Sequence, residues 1–292
     1  MNLTNKIKIF VIAIFLLSES TYGQNVDSLK LEVQRLTSGI DFTRASTGII
    51  WDVGRPFANL PAYNGIASVA NISKYADFEN ICNTLKDAQV SGESIISFDD
   101  VYEAMEGATD KESQIALGVV AGQYNRFASD AITSGKIAWQ LDHFVDVEGS
   151  ATPFEKCNVL AGAFSRENLS AGKIYKLSMP AASYVTVGGA LVENIQIDLL
   201  DGKGFQNILP NISLSFFLED TGKFYPILKA TLDGNKITTK LLLICLSNGP
   251  TSPPSIMSWS RQPQKIVSIP PRLGVHAGCT LEIGLRKEIC QV

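Results

Sequence analysis

Hydrophobic residues recur every three or four positions through much of the first half of the chain, and this spacing is typical of one buried face of an α-helix. In residues 77–88, for example, Phe78, Ile81 and Leu85 fall on one stripe, and Cys82 lies beside them. The pattern therefore predicts a mainly helical region. The predicted helices span residues 27–37, 77–88, 98–105, 110–133, 137–145 and 153–164.

The longest predicted helix spans residues 110–133. Thr109 and Glu112 have the spacing of a capping box, which is typical of a helix start. Gly118 and Gly122 are four residues apart, and small residues at this spacing permit another helix to approach closely. Within this span the apolar positions at helical spacing are Ile115, Val119, Val120, Tyr124, Phe127 and Ala131.

From about residue 171 onward, apolar and polar residues alternate, which predicts β-strands with one buried face. The alternation is clearest in residues 191–199 and 212–218. Asp233-Gly234-Asn235 separates two further alternating segments, and it predicts a hairpin because glycine accepts a positive φ without steric cost. The sequence therefore predicts an α+β fold, in which an N-terminal helical part is followed by an antiparallel β-sheet or sandwich part.

The expected organisation is a leader at residues 1–23, a helical region at 24–165 and an antiparallel β-rich region at 166–292. Residues 39–73 interrupt the helical region with several glycines and prolines among aromatic residues. They are predicted to form a long irregular loop, and an ordered loop of this length usually has a functional role.

The first 23 residues have the three parts of a secretory signal. Lys6 and Lys8 give a basic start, residues 9–17 are uninterruptedly apolar, and a polar stretch ends at the small residue Gly23. A membrane-spanning helix needs about 20 apolar residues, so this run is too short to cross a bilayer. The leader resembles those of exported bacterial proteins. Cleavage after Gly23 is expected, leaving an exported chain without a transmembrane anchor.

Charge and cysteine content narrow the range of partners. The net charge is −4 at pH 7, and acidic and basic residues are mixed along the chain. Because nucleic-acid binding requires a basic face, nucleic acid is not an expected partner. None of the five cysteines is in a CxxC pair, although Cys279 and Cys290 could bridge two adjacent strands. Cys82 is expected to be buried on a helix.

The 39–73 loop carries the candidate ligand-binding residues Trp51, Asp52, Arg55 and Tyr63. Sugar and peptide ligands are often held by an aromatic face with a few directional polar groups, and arginine can bind a carboxylate with two parallel hydrogen bonds. The alternative is a structural loop in which Trp51 is buried and Asp52 pairs with Arg55 or Arg44.

Asp142 and His143 are the candidate catalytic residues. On a helix, Asp142 and Asp146 would share a face, and His143 would lie within hydrogen-bond reach of Asp146. An aspartate can orient an imidazole for general-base work, with Glu103 or Glu106 as a further acid. The alternative is a helix end that carries solvated acids. No HExxH or GxSxG motif is present, and no metal site or cofactor is predicted.

The sequence carries no motif of a known family. Histidines and clustered acids, which most catalytic sites require, are scarce. The sequence therefore favours a non-catalytic exported protein that binds an extracellular or periplasmic protein or glycan. Its expected location is the periplasm, the cell surface or the medium. One alternative is a secreted hydrolase that acts on an extracellular polymer. A second is a pore-forming or toxin-like protein that uses the helix predicted at residues 110–133.

Overall fold

The computed structural model describes residues 26–247 with the exception of residues 93 and 111. The predicted leader and the predicted Cys279–Cys290 bridge lie outside these residues. The described chain contains helices α1 (Val26–Leu36), α2 (Tyr75–Asp87) and α3 (Phe98–Gly107). Its strands are β1 (Ile72–Ser73), β2 (Gln114–Phe127), β3 (Ile137–Gln140), β4 (His143–Asp146), β5 (Phe154–Phe164), β6 (Asn168–Ser170), β7 (Lys173–Ser178), β8 (Tyr184–Val187), β9 (Val192–Asp198), β10 (Phe205–Asn207), β11 (Ser213–Leu218), β12 (Gly222–Phe224), β13 (Ile227–Leu232), β14 (Asn235–Leu241) and β15 (Leu243–Leu246).

The antiparallel pair of β2 and β5 is the centre of the fold. The pairing runs without interruption from Leu117 opposite Phe164 to Phe127 opposite Phe154. Strand β2 also pairs in parallel with β7 at its start and with β8 along its middle. The longest strand of the described chain therefore lies inside a sheet, in the order β11-β7-β2-β5 with β8 beside β2.

Both faces of β2 are buried because successive side chains point to opposite sides of a strand. Leu117 and Val119 belong to the core between this sheet and a second sheet, which has the order β1-β14-β13-β9-β10. Ala116 and Val120 belong to the core beneath α2 and α3. The described residues thus form three layers, with helices, the β2–β5 sheet and the second sheet stacked on one another.

The predicted α+β class is confirmed: the described helices are mostly N-terminal and the strands form several mostly antiparallel sheets. Ser97 caps the start of α3, because its hydroxyl accepts a hydrogen bond from the Asp100 backbone N–H at 3.2 Å. Asp233 and Gly234 form the predicted hairpin turn with φ of 46° and 76°. Cys82 is buried on α2, as expected.

Three of the predicted helices are wrong. Residues 114–127 of the predicted 110–133 helix form β2, residues 137–145 are mostly the β3–β4 hairpin, and most of 153–164 is β5. A strand buried on both faces is apolar at nearly every position, so it also satisfies the spacing of a buried helix. The pore-forming alternative relied on the 110–133 helix and loses that basis. Among the described helices, none combines the length and the apolar character needed to cross a bilayer.

Glycine at position 118 allows α2 and α3 to pack closely against β2. A methyl group there would lie 2.7 Å from Met105 Sδ and 2.7 Å from the ring of Phe78. Met105 is on α3 and Phe78 is on α2, and both side chains are completely buried. The absence of a side chain at Gly118 therefore sets the distance between the helical layer and the sheet.

Gly118→Ala is expected to destabilise the protein by about 1–3 kcal/mol, because the added methyl group overpacks a closed core. Gly107→Ala is the matched control, since a methyl group at that exposed helix end meets no atom within 4 Å. Alanine favours the helix, so the control should be neutral or more stable by up to about 1 kcal/mol. Urea unfolding of both variants measures the difference, and equal stability would contradict the packing argument.

Candidate functional site

A single 3-10 turn, Trp51–Val53, places two of the predicted ligand-binding residues beside the end of β2. The chain just before the turn is held on both sides. The Ile50 N–H donates to the Ala88 carbonyl at 2.9 Å, and the Asn125 N–H donates to the Ile49 carbonyl at 2.8 Å. The turn is therefore fixed between the end of α2 and the central sheet.

Four side chains of β2 and β5 face this turn. Tyr124 lies opposite Cys157, and Arg126 lies opposite Glu155. Because the two pairs are two residues apart along each strand, all four side chains project from the same face of the sheet. We call these four residues, together with Trp51 and Asp52, the Trp51 recess.

Arg126 joins the two sides of the Trp51 recess. Its Nε lies 3.2 Å from Glu155 Oε1, and its guanidinium carbon lies 5.9 Å from the centroid of the Trp51 ring. On the opposite side of the turn, Asp52 Oδ2 accepts a hydrogen bond from the Phe127 backbone N–H at 2.7 Å. An aromatic ring, a guanidinium and two carboxylates thus come together in one place.

The side chain of Asp52 has close protein neighbours, although the residue is exposed to solvent. Burial by the surrounding protein raises the pKa of its carboxyl. The Phe127 N–H and the positive charge of Arg126 oppose this rise, and the negative charge of Glu155 adds to it. A carboxyl whose pKa is shifted by desolvation and by specific charged neighbours is a candidate for a functional site.

Two hydrogen-bonding atoms of the Trp51 recess, Trp51 Nε1 and Arg126 Nε, are buried without a hydrogen-bond partner. The buried Tyr124 hydroxyl has the Cys157 thiol as its neighbour. Arg126 Nε lies near Glu155, but not in hydrogen-bonding geometry. Buried polar groups are nearly always hydrogen-bonded, so their concentration here points to a place where a further polar group is accepted.

The thiol of Cys157 and the hydroxyl of Tyr124 form the floor of the Trp51 recess. Burial raises the pKa of Tyr124, and the neighbouring Cys157 adds to the rise. Burial likewise raises the pKa of Cys157, with a further contribution from the Glu155 charge. Both groups are therefore neutral at physiological pH, and Cys157 lacks the depressed pKa of a reactive cysteine.

The remaining predicted ligand-binding residues lie apart from one another. Arg55 is paired with Asp87, the last residue of α2, through its backbone N–H at 2.7 Å and its guanidinium at 3.0 Å. Lys30 donates to the same carboxylate at 3.0 Å. Arg55 thus binds a carboxylate of the protein itself, where the sequence predicted a ligand carboxylate. The Arg55–Asp87 pair joins the loop to α2 and to Lys30.

Tyr63 lies near the other end of α2. Burial, with a contribution from the nearby Asp77 carboxylate, raises the pKa of Tyr63 to about 12. Asp77 is in the first turn of α2 and Asp87 is its last residue, so about 15 Å of helix separates them. Arg55 and Tyr63 therefore do not converge on one small ligand.

Asp142 and His143 lie at the turn of the β3–β4 hairpin and not on the predicted helix. The Asp142 side chain is 71% exposed, and its Oδ2 accepts a hydrogen bond from Arg35 Nη1 at 2.7 Å. His143 Nδ1 lies 3.2 Å from Asp142 Oδ1, and this contact is the first cause of the lowered pKa of Asp142. On a strand, residues 143 and 146 point to opposite sides, and Asp146 is paired with Arg44 at 2.7 Å. The predicted three-residue cluster is not assembled.

Tyr124, Arg126, Glu155 and Cys157 were missed because residues 110–133 and 153–164 both fit helices. The available signal was that polar Gln123 and Asn125 flank Tyr124, because polar residues that alternate at the end of an apolar run favour a strand. Only the cross-strand register brings Glu155 to Arg126. Within the described part of the chain, no group of three His, Cys, Asp or Glu residues is placed to hold a metal ion.

Comparison of the chain with protein-family models and with curated proteins gave no match.

Asp52→Asn is expected to leave the protein as stable as the wild type at pH 7, or more stable. The pKa of Asp52 is raised in the folded state, so the wild type loses stability as the pH rises through that pKa. The uncharged asparagine side chain of the variant avoids this loss of stability. Its amide oxygen still accepts the hydrogen bond from the Phe127 N–H. The advantage should shrink as the pH falls below the ordinary value of 3.8, where the acid is protonated in both states.

Asp87→Asn is the control, and the opposite change in stability at pH 7 is expected for it. Burial alone would raise the pKa of Asp87, but hydrogen bonds from Arg55 and Lys30 outweigh it and lower the pKa. Its contribution is present at pH 7 and is lost as the pH falls through the lowered pKa, so the variant should lose about 1–3 kcal/mol at pH 7. Urea unfolding at several pH values measures both variants. A loss of stability at pH 7 in Asp52→Asn would show that Asp52 is an ordinary structural acid.

Proposed function

We propose that the protein is an exported, non-catalytic binding protein and that the Trp51 recess holds its ligand. The observation that carries the proposal is the concentration of unpartnered, buried hydrogen-bonding atoms beside a desolvated carboxylate. Both features cost stability, since an unpaired buried polar group costs about 1–3 kcal/mol. Such local costs are typical of sites that are arranged for a partner.

The chemistry of the Trp51 recess favours a ligand that offers both donors and acceptors. Trp51 supplies a ring N–H donor, Arg126 supplies charged donors, and the exposed Asp52 and Glu155 supply acceptors. Sugar hydroxyls both donate and accept, and an aromatic ring beside directional polar groups is a common way to hold a sugar. We therefore propose a glycan as the ligand, and an extracellular or periplasmic protein as the alternative partner.

A secreted hydrolase is the second candidate. The raised pKa of Asp52 next to the Glu155 carboxylate supports this alternative, because paired carboxylates in different environments can share acid and base roles. Asp142 and His143 are the other residues proposed for catalysis. Their position gives less support, since Asp142 is exposed and its pKa is lowered.

Binding to a panel of soluble neutral oligosaccharides, measured by titration calorimetry, tests the proposal. Arg126→Ala is expected to weaken the binding by about tenfold or more, because a charged hydrogen bond to the ligand is worth about 1.5–3 kcal/mol. Lys156→Ala is the matched control. It removes one positive charge from the same strand pair, but Lys156 points to the opposite face from Glu155 and Cys157.

Product analysis of the same mixtures separates the two candidate functions. Unchanged oligosaccharide after long incubation supports the binding protein. Cleaved oligosaccharide that Asp52→Asn abolishes supports the hydrolase. No binding by any member of the panel, or equal loss in the Arg126 and Lys156 variants, would exclude the Trp51 recess as a glycan site.

Export is part of the proposal and rests on residues 1–23. The mature chain is expected to begin at Gln24, because the small residue Gly23 ends the polar stretch after the apolar run. N-terminal sequencing of the protein recovered from the periplasm and the medium of a bacterial host measures the cleavage. Ile14→Lys should abolish it, because a charge interrupts the apolar run, and an uncleaved chain from the wild-type sequence would contradict the signal.

A further inference from the structure

The outer face of the second sheet carries three lysines that belong to the hairpin of β13 and β14. In β13, Leu228 and Ala230 are buried in the core, so the side chain of Lys229 between them points outward. In β14, Ile237, Thr239 and Leu241 are buried, so Lys236, Thr238 and Lys240 point outward. We call the surface formed by Lys229, Lys236 and Lys240 the lysine face.

Strand register places these three lysines next to one another. Lys229 lies opposite Thr238, so Lys236 and Lys240 are its diagonal neighbours across the pair. Diagonal neighbours in an antiparallel pair are about 7–8 Å apart, within reach of long side chains. The residues directly opposite the lysines are neutral: Thr231 faces Lys236, and Ile227 faces Lys240.

No acid of the described chain forms an ion pair with any lysine of the lysine face. By contrast, Lys30, Lys136 and Lys203 each pair with an aspartate within 3.0 Å. Asp198 lies on the same outer face, diagonal to Lys229 across the pair of β9 and β13, and it accepts a hydrogen bond from the Leu200 N–H. Asp233 is in the turn between β13 and β14 and accepts one from the Leu191 N–H. With three lysines and one neighbouring carboxylate, the lysine face is a local positive surface on a protein whose net charge is −4.

The strands beside the lysine face add groups that suit a sugar polymer. Gln196 lies opposite Lys229, and its Nε2 donates to Asn207 Oδ1 at 2.9 Å. The ammonium of Lys229 lies 4.0 Å from the centroid of the exposed Phe205 ring. The face thus runs across four strands from β14 to β10, with cations, amides and one aromatic ring.

We propose that the lysine face binds an acidic polysaccharide, whose anionic groups pair with the three lysines while its hydroxyls bond to the amides. Charge complementarity identifies the partner as an anion, and a surface that extends over four strands suits an extended polymer. Nucleic acid is disfavoured because single strands bind through several aromatic stacking platforms, and Phe205 is already covered by Lys229. The lysine face is on the outer side of the second sheet, whereas the Trp51 recess is on the helix side of the β2–β5 sheet, so the two proposals are independent.

Fluorescently labelled polygalacturonate is the probe, and fluorescence anisotropy with the purified protein measures its dissociation constant. A triple variant is expected to raise the dissociation constant for polygalacturonate about tenfold or more. It combines Lys229→Gln, Lys236→Gln and Lys240→Gln. The matched control combines Lys156→Gln, Lys173→Gln and Lys176→Gln, which removes the same charge from exposed positions elsewhere. Because charges beyond a Debye length are screened, the control should change the constant less than about twofold at about 0.15 M salt.

Three further comparisons complete the test. Neutral dextran should not compete with polygalacturonate, and the combined Lys229, Lys236 and Lys240 variant should leave the binding of neutral oligosaccharides unchanged, so that failure of the Trp51 recess is distinguished from failure of this proposal. Phe205→Ala should weaken polygalacturonate binding without changing its salt dependence. Three outcomes would overturn the proposal. They are equal weakening of polygalacturonate binding by both lysine triples, tighter binding to a single-stranded oligonucleotide or to anionic vesicles, and no binding of polygalacturonate at all.

Discussion

The side chain of Asn125 connects the irregular loop to the central sheet. Its amide oxygen accepts hydrogen bonds from the Thr47 N–H at 3.0 Å and from the Thr47 hydroxyl at 2.8 Å. Its amide nitrogen donates to the Glu155 carbonyl at 3.3 Å. Asn125 is 3% exposed, so these bonds are formed away from water. No apolar side chain of similar size supplies both a donor and an acceptor, and leaving either partner unpaired costs about 1–3 kcal/mol.

The position of the Trp51 recess follows from this contact. Asn125 lies between Tyr124 and Arg126 on β2, so its side chain points to the opposite face from theirs. Strand β2 therefore holds the loop through Asn125. The two neighbours of Asn125 on the same strand, Tyr124 and Arg126, belong to the Trp51 recess. Trp51 follows the anchored residue Thr47 closely along the chain, and this short connection keeps its ring against Arg126.

The rest of the fold supplies the stability that the recess and its unpartnered atoms reduce. The three layers bury two large apolar clusters, one on each face of the β2–β5 sheet. Each fully buried aliphatic or aromatic side chain contributes about 1.5–3 kcal/mol, so the many side chains of these clusters together outweigh a few unpaired polar atoms at about 1–3 kcal/mol each. Desolvation of Asp52 is tolerated for the same reason. A rigid core and a polar recess at its edge are therefore compatible in one chain.

Helix α2 and the hairpin of β13 and β14 were predictable because each has one buried and one exposed face. In α2, Phe78 and Ile81 are buried while Lys86 remains exposed, which produces the helical period directly. In β2, Leu117 faces one layer and Ala116 faces the other, so both positions are apolar and the period of two disappears. Burial on both faces depends on which layers cover the strand, and the local sequence does not contain that information.

Within the candidate sites, the sequence determined that Trp51 and Asp52 are adjacent on a glycine- and proline-rich loop, and it determined the overall acidic charge. Only the tertiary structure decided that Arg126 and Glu155 join them and that Arg55 pairs with Asp87. The physical reason is the same in each case. Local periodicity and turn chemistry act between residues a few positions apart, whereas strand register and layer packing bring together residues whose sequence separation places no limit on their distance.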